Sequence, residues 1–198
     1  MRLKSLYRIA RNKYMRAMKP VEYAKKIGVN MKGRVHIYGN VCFASEPWII
    51  TLGDNVHITD GVKFITHDGG TLLFRDQVPD LEVTKPICVG NNVYFGNNVI
   101  ILPGVTIGNN VVIGTGSVLI DSGIKDEAKI GDLARCSNVR LAENVHVGKA
   151  CEIIGIEAPV VIMRNTLVGS NVKIVDSNIA ELSEIESNKI IVAGKKVN

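Results

Sequence analysis

The chain has 198 residues, enough for one sizeable domain or one elongated array, and is 46 % hydrophobic but only 5 % aromatic, so its core has to be built from Val, Ile, Leu and Ala. The net charge of +5 sits at the start, because residues 1–30 hold nine Lys/Arg against Glu22 alone and the remainder is net −3; a nucleic-acid groove along the body loses its support. Cys42, Cys88, Cys136 and Cys151 show no CxxC spacing, no run approaches the ~18 apolar residues of a membrane span, and MRLKSLYRIARNKYMRAMKP has no apolar h-region, so a cytoplasmic protein without disulfides is expected.

In chain order, residues 2–19 place Leu3, Leu6, Tyr7, Ala10, Tyr14 and Ala17 on one helical face, with Pro20 ending the helix. Residues 1–30 therefore read as a basic helical leader. Two readings of its apolar face stay open. It packs on the first coil of the body or on a neighbouring subunit, or it makes a weak peripheral contact with anionic membrane through residues 1–20, which hold seven Lys/Arg and no acid.

Beyond the leader a six-residue period takes over. It is clearest in ICVGNN VYFGNN VIILPG VTIGNN VVIGTG SVLIDS, residues 87–122, where Val89, Phe95, Ile101, Ile107, Ile113 and Leu119 recur every sixth position. A second small or branched residue stands two places before each, so the intervening position points outward as in a strand. Gly and Asn then turn the corner, since both tolerate left-handed backbone angles. Upstream, Ile37, Phe43, Leu52, Ile58 and Phe64 follow the same rule, and Ile130, Cys136, Leu141, Val147 and Ile153, then Ile162, Val168, Ile174 and Ala180, extend it. Lys125 and Glu186 fall on inward positions and mark breaks. Short strands joined by corners and advancing in one direction wind into a parallel β-helix, here of about six coils and roughly 30 Å.

Residues 66–86, THDGGTLLFRDQVPDLEVTKP, interrupt the period and are expected to project as a loop, the usual seat of function on a rigid repeat scaffold. His36, His57 and His146 take outward strand positions and read as solvated. His67 opens the loop beside Asp68 and two glycines, where a neutral imidazole is suited to general-base work. No Gly-x-Ser-x-Gly motif marks a covalent intermediate, and three outward histidines far apart do not specify a metal site. Trp48, the only tryptophan, follows Pro47 at a break in phase and reads as a packing residue or as a stacking wall for a sugar. Arg75 and Lys85 read as solvated loop charges or as partners for an acidic acceptor.

The runs ITLGDNVHITDGVKFITHDGG and ICVGNNVYFGNNVIILPGVTIGNNVVIGTGSV resemble the hexapeptide-repeat acetyltransferases, among them galactoside, maltose and xenobiotic acetyltransferases. VEYAKKIGVNMKGRVHIYG and SEPW look most like the O-acetyltransferases of capsule and lipopolysaccharide synthesis. The resemblance spans about residues 20–120. It implies an all-β fold, a single left-handed parallel β-helix over residues 31–198 with an N-terminal helical segment and one protruding loop. It also implies an acetyl-CoA-dependent O-acetyltransferase without metal, acting on a sugar or polysaccharide precursor by direct transfer, as a homotrimer with its sites between neighbouring prisms. His67 takes the place of the catalytic base; Gly96, Asn97 and Thr115 fall where acetyl-CoA lies; and Trp48, Asp68 and Arg75 are the candidate acceptor residues.

The chain also departs from the family. LIDSGIKD stands where a TKDIP-like stretch is expected, with Asp121 in place of a CoA-facing Lys, and about 60 residues intervene before SNKIIVAGKKVN, where Lys195 and Lys196 could supply the missing charge. Residues 121–198 thus form an atypical, extended set of C-terminal coils. Two other readings stay open. VVIMRNTLVGSNVKIVDSNI has a nucleotidyltransferase-like look that suits a non-catalytic assembly module, and the same solenoid carries γ-type carbonic anhydrases, which need a three-histidine zinc cluster.

Overall fold

The computed structural model describes residues 2–193. Two helices lead into the solenoid: α1, Arg2–Met18, and α2, Pro20–Ile27. Pro20 ends α1 and starts α2, because at the first helical position its missing N–H costs nothing and its fixed φ fits the helix. Gly28 closes α2 at φ 107°, and its N–H reaches the carbonyls of Ala24 and Lys25.

Every named strand pair is parallel, and the chain visits three sheets of seven, eight and eight strands in rotation, the last pass over the first face being a single bridge at Ile179. The first face runs from Asn30–Met31 to Val160–Ile162, the second from Val35–Ile37 to Glu184–Ile185, and the third from Cys42–Phe43 to Ile190–Val192. The stack is thus up to eight strands deep, not six, and at ~4.8 Å per layer it is about 34 Å tall. The shortfall in the expected count has a clear cause. Cys88 pairs with Thr106, 18 residues on, but Thr106 pairs with Gly123 and Gly123 with Arg140, only 17 residues on. One corner of each later coil is a residue short, which shifts the six-residue phase. Ile124 and Ile185 therefore turn inward where Lys125 and Glu186 were expected, and Ile179 is buried where Ala180 was expected. The coil from Val139 to its partner Val160 spans 21 residues and accommodates the extra chain as a corner excursion at residues 155–158.

Corners are fixed by single residues in the left-handed region, mostly Asn. On the corner after the first face, Asn55, Asn92 and Asn110 sit at φ 55–57°, and their amides form a ladder. Asn55 donates to Asn92 (2.9 Å), Asn92 to Asn110 (2.9 Å) and Asn110 to Glu127 (2.7 Å). Asn suits both demands, since its short side chain tolerates positive φ and carries donor and acceptor together.

The interior is a continuous aliphatic column with rings only near the start. Phe43 and Phe64 stack at 5.4 Å between centroids, and Phe64 meets Phe95 edge-on at 5.6 Å. Inward polar residues are satisfied. Ser122 Oγ, for instance, donates to the Ile120 carbonyl at 2.7 Å and accepts from Val139 N–H at 3.2 Å. Cys136 is inward and fully buried, and burial pushes its thiol up to about 12, so it is a core residue and no nucleophile.

Candidate active site

His67 stands at the corner between the third and first faces, just past the Lys63–Phe64 strand. The loop leaves here and comes back: His67 pairs with Thr84 in an antiparallel bridge, Asp68 N–H donates to the Val83 carbonyl (2.9 Å) and Lys85 N–H to the Thr66 carbonyl (3.0 Å). The loop is therefore pinned at its root. Asp68 shapes its first turn by accepting from Gly70 N–H at 2.9 Å, which caps the 3₁₀ segment Gly69–Phe74.

One coil below, Glu46 reaches up to the imidazole. Its Oε2 lies 2.9 Å from His67 Nδ1 and accepts from Thr66 Oγ1 at 2.7 Å, and Ser45 Oγ lies 3.1 Å from the same ring nitrogen. Hydrogen bonding from Thr66, then from His67 and Ser45, holds the Glu46 carboxyl below the usual carboxylate range against the opposing effect of burial. An ionised carboxylate on Nδ1 favours the proton there and leaves Nε2 as the lone-pair nitrogen. Because the folded carboxyl is the stronger acid, its stabilising contribution is complete above about pH 4.3, the unperturbed value, and is lost as pH falls through the depressed one.

Two clefts meet at His67. One, about 270 Å³, is lined by Glu46, His67, Asp68, Thr71, Arg75 and Glu82 among others. The second, about 350 Å³, runs from His67 and Asp68 past Ile65, Leu102, Pro103 and Ile120 to Lys85 and Asp121. The first is polar and charged, whereas the second has apolar walls. Lys85 Nζ lies 3.3 Å from Asp121 Oδ1, and Arg140 donates to the Asp121 carbonyl at 2.7 Å. The position where the resembled family has a lysine is thus an aspartate whose carboxylate pairs with Lys85 and whose main-chain carbonyl accepts from Arg140.

The other sequence candidates lie apart from this corner. Trp48 is 62 % exposed and lines neither cleft; its backbone lies against Gly28 at the end of α2. Gly96, Asn97 and Thr115 meet one another on the corner between the second and third faces, a full face away from His67. A Cβ on Gly96 would come within 2.6 Å of Thr115 N, so glycine is needed there to let successive coils close up. Lys195 and Lys196 lie outside the described residues.

The remaining histidines are on the second face. His36 and His57 stack at 4.5 Å, and the His57 ring nitrogens lie 2.9 Å from Tyr38 Oη and 3.0 Å from Asn55 Oδ1. His57 is therefore fully engaged rather than solvated. His146 is on the same face with the Tyr94, Val112 and Lys129 strands between. Among the described residues no three His, Cys, Asp or Glu side chains converge as a metal cluster would.

Residues 89–121 match the family described as bacterial transferase hexapeptide (six repeats). Residues 89–121 thus carry repeats of this description. Over 52 residues it is 50 % identical to Protein CapG of Staphylococcus aureus, which covers 26 % of this chain and 30 % of CapG. The chain thus spans under a third of the length of that relative. Among solved structures, the acetyltransferase domain of PglB from Neisseria gonorrhoeae, in complex with acetyl coenzyme A, aligns with a TM-score of 0.50 at 14 % identity over 54 % of this chain and 51 % of that one. A maltose O-acetyltransferase from Clostridium difficile aligns with a TM-score of 0.38 at 27 % identity, over 50 % and 62 % of the two chains. At such identity the PglB likeness speaks for the shared solenoid.

Proposed function

We propose that this hexapeptide-repeat protein is an acetyl-CoA-dependent O-acetyltransferase acting on a sugar or polysaccharide precursor, with His67 as general base. The observation that carries the reading is the His67–Glu46 pair set where a polar cleft and an apolar-walled cleft meet. His67 Nε2 takes the proton of an acceptor hydroxyl entering from the polar cleft. The new C–O bond forms at the thioester carbonyl as its C–S bond breaks, and His67 returns the proton to the departing thiolate. Glu46 fixes the ring and steadies the imidazolium between those two events. The acetyl-CoA in the PglB domain structure and the transferase repeats at residues 89–121 support this choice of donor.

The apolar cleft walls, Ile65, Leu102, Pro103 and Ile120, suit the uncharged arm of the donor, and Lys85 with Arg140 supplies cationic character where Asp121 replaces the expected lysine. In this reading Arg75 and Asp68 face the acceptor. Gly96, Asn97 and Thr115 reach the same donor from a second copy, which accounts for their place a face away from His67 and makes a homotrimer the working assembly.

The test is acceptor-dependent release of CoA thiol from acetyl-CoA across a panel of sugars. Glu46→Gln is expected to lower kcat about 10- to 100-fold with KM little changed, the loss corresponding to one charge-assisted hydrogen bond of ~1.5–3 kcal/mol. Glu46→Asp, which keeps the charge on a shorter arm, is expected to recover part of it. Equal loss in both variants, or a rise in KM alone, would argue against Glu46 as the group that positions His67.

A further inference from the structure

We propose that α1 is a docking helix for anionic phospholipid bilayers. Among its described side chains, α1 is held to the body through one side only. Asn12, Met15 and Arg16 are its half-buried residues; Asn12 Oδ1 accepts from Lys26 Nζ at 2.7 Å, and Arg16 Nη2 donates to the Val41 carbonyl at 3.2 Å. The apolar stripe faces the other way. Leu6, Tyr7, Tyr14 and Met18 are 58–68 % exposed, and Ala10 and Ala17 on the same stripe are also exposed. Of the expected partners of this face, the first coil is not one, since the stripe is turned outward and the first coil is already closed below α2 by Ala24 and Val29.

Charge selects what covers that stripe. At 3.6 residues per turn Arg11 and Lys13 border it on its two sides, and Arg8 and Lys19 are exposed beyond them. Residues 1–21 hold no acid at all, and the single acid of the leader, Glu22, is paired with Lys19 at 3.3 Å. An apolar stripe with cations along both borders and aromatic rings within it fits the interface of a negatively charged bilayer, in which the helix lies flat. A second copy of the same helix would bring like charges together.

A further observation points to a phosphate-bearing surface. Between α1 and the first coil lies a cleft of about 480 Å³ lined by Lys13, Arg16, Ala17, Gly39 and Asn40. Among the described residues Arg16 Nε is buried without a hydrogen-bond partner, which leaves a guanidinium donor unsatisfied on the body-facing side of α1, in the cleft that Lys13 also lines. A headgroup phosphate drawn into that cleft would satisfy it.

The experiment sediments the full chain with vesicles of phosphatidylcholine alone or mixed with phosphatidylglycerol, across a salt series. Wild type is expected to bind the anionic vesicles about tenfold or more tightly than the neutral ones, with the preference fading as salt rises. The doubly substituted Leu6→Glu/Tyr14→Glu chain should lose vesicle binding while its circular dichroism and solution mass stay unchanged, and Arg11→Glu/Lys13→Glu should lose the anionic preference. Equal affinity for both vesicles, or binding untouched by the Leu6/Tyr14 changes, would overturn the proposal. A drop in oligomeric mass in the Leu6/Tyr14 variant without vesicle binding by wild type would do the same, since it assigns the stripe to a second copy.

Discussion

His67→Ala is expected to lower acceptor-dependent acetyl transfer about 10²- to 10⁴-fold, the range of a positioned general base, while leaving the fold intact. The side chain is 41 % exposed, so its removal opens no core cavity. The corner is also held independently by backbone bonds through Thr66, Asp68 and Val83. The loss should fall on kcat, because the proton moves only as the acceptor attacks. His67→Asn offers a sharper form of the same test, since it can keep a hydrogen bond to Glu46 but cannot take a proton. If both variants keep full activity, another group moves the proton and the His67–Glu46 pair is a structural contact.

Phe64→Ala is expected to destabilise the protein by about 3–5 kcal/mol, the range for deleting a buried aromatic ring. Phe64 is fully buried between the rings of Phe43 and Phe95, which come from the coils on either side of it, in the one aromatic stretch of an otherwise aliphatic column. Neighbouring Val, Ile and Leu side chains, fixed by their own coils, cannot collapse into the void. In a stack where each coil touches only its neighbours the damage stays local. Hydrogen exchange should therefore rise most in residues 35–64 and 87–101 and remain low around residues 130–175. A uniform rise in exchange along the whole chain would contradict this nearest-neighbour picture.

Much of the solenoid was legible because its corners are written in a small alphabet. Wherever Gly–Asn–Asn or Gly–Asp–Asn closed a hexad, the inward residues one and three places past the last Asn could be named, from Val56 and Ile58 to Val111 and Ile113. Legibility failed where a corner lost a residue without losing its hydrophobic neighbours. SGIKD reads plausibly with either Ile124 or Lys125 inward until the 17-residue pairing of Thr106 with Gly123 decides it. The helical leader shows a different limit, since amphipathicity identified the apolar stripe of α1 but could not say which way it would turn.

At the site, His67 was readable because it stands at the point where the period breaks. Glu46 was not, although it lies in the SEPW segment that interrupts the preceding coil. The two residues are 21 apart in sequence and meet only because one coil stacks on the next. A rule that compares outward residues one coil apart across interrupted corners would have brought them together. The same geometry explains Asp121, whose compensation by Lys85 spans 36 residues.

The most direct single measurement is calorimetric titration of acetyl-CoA into the full chain and into His67→Ala. Saturable binding to both, with similar affinity, is the expected result, because the proposed function places the donor in the apolar-walled cleft with its cations and gives His67 the acceptor proton alone. Absence of binding to either protein would contradict the account, leaving the solenoid without its acyl donor and the His67–Glu46 corner without a reaction to serve.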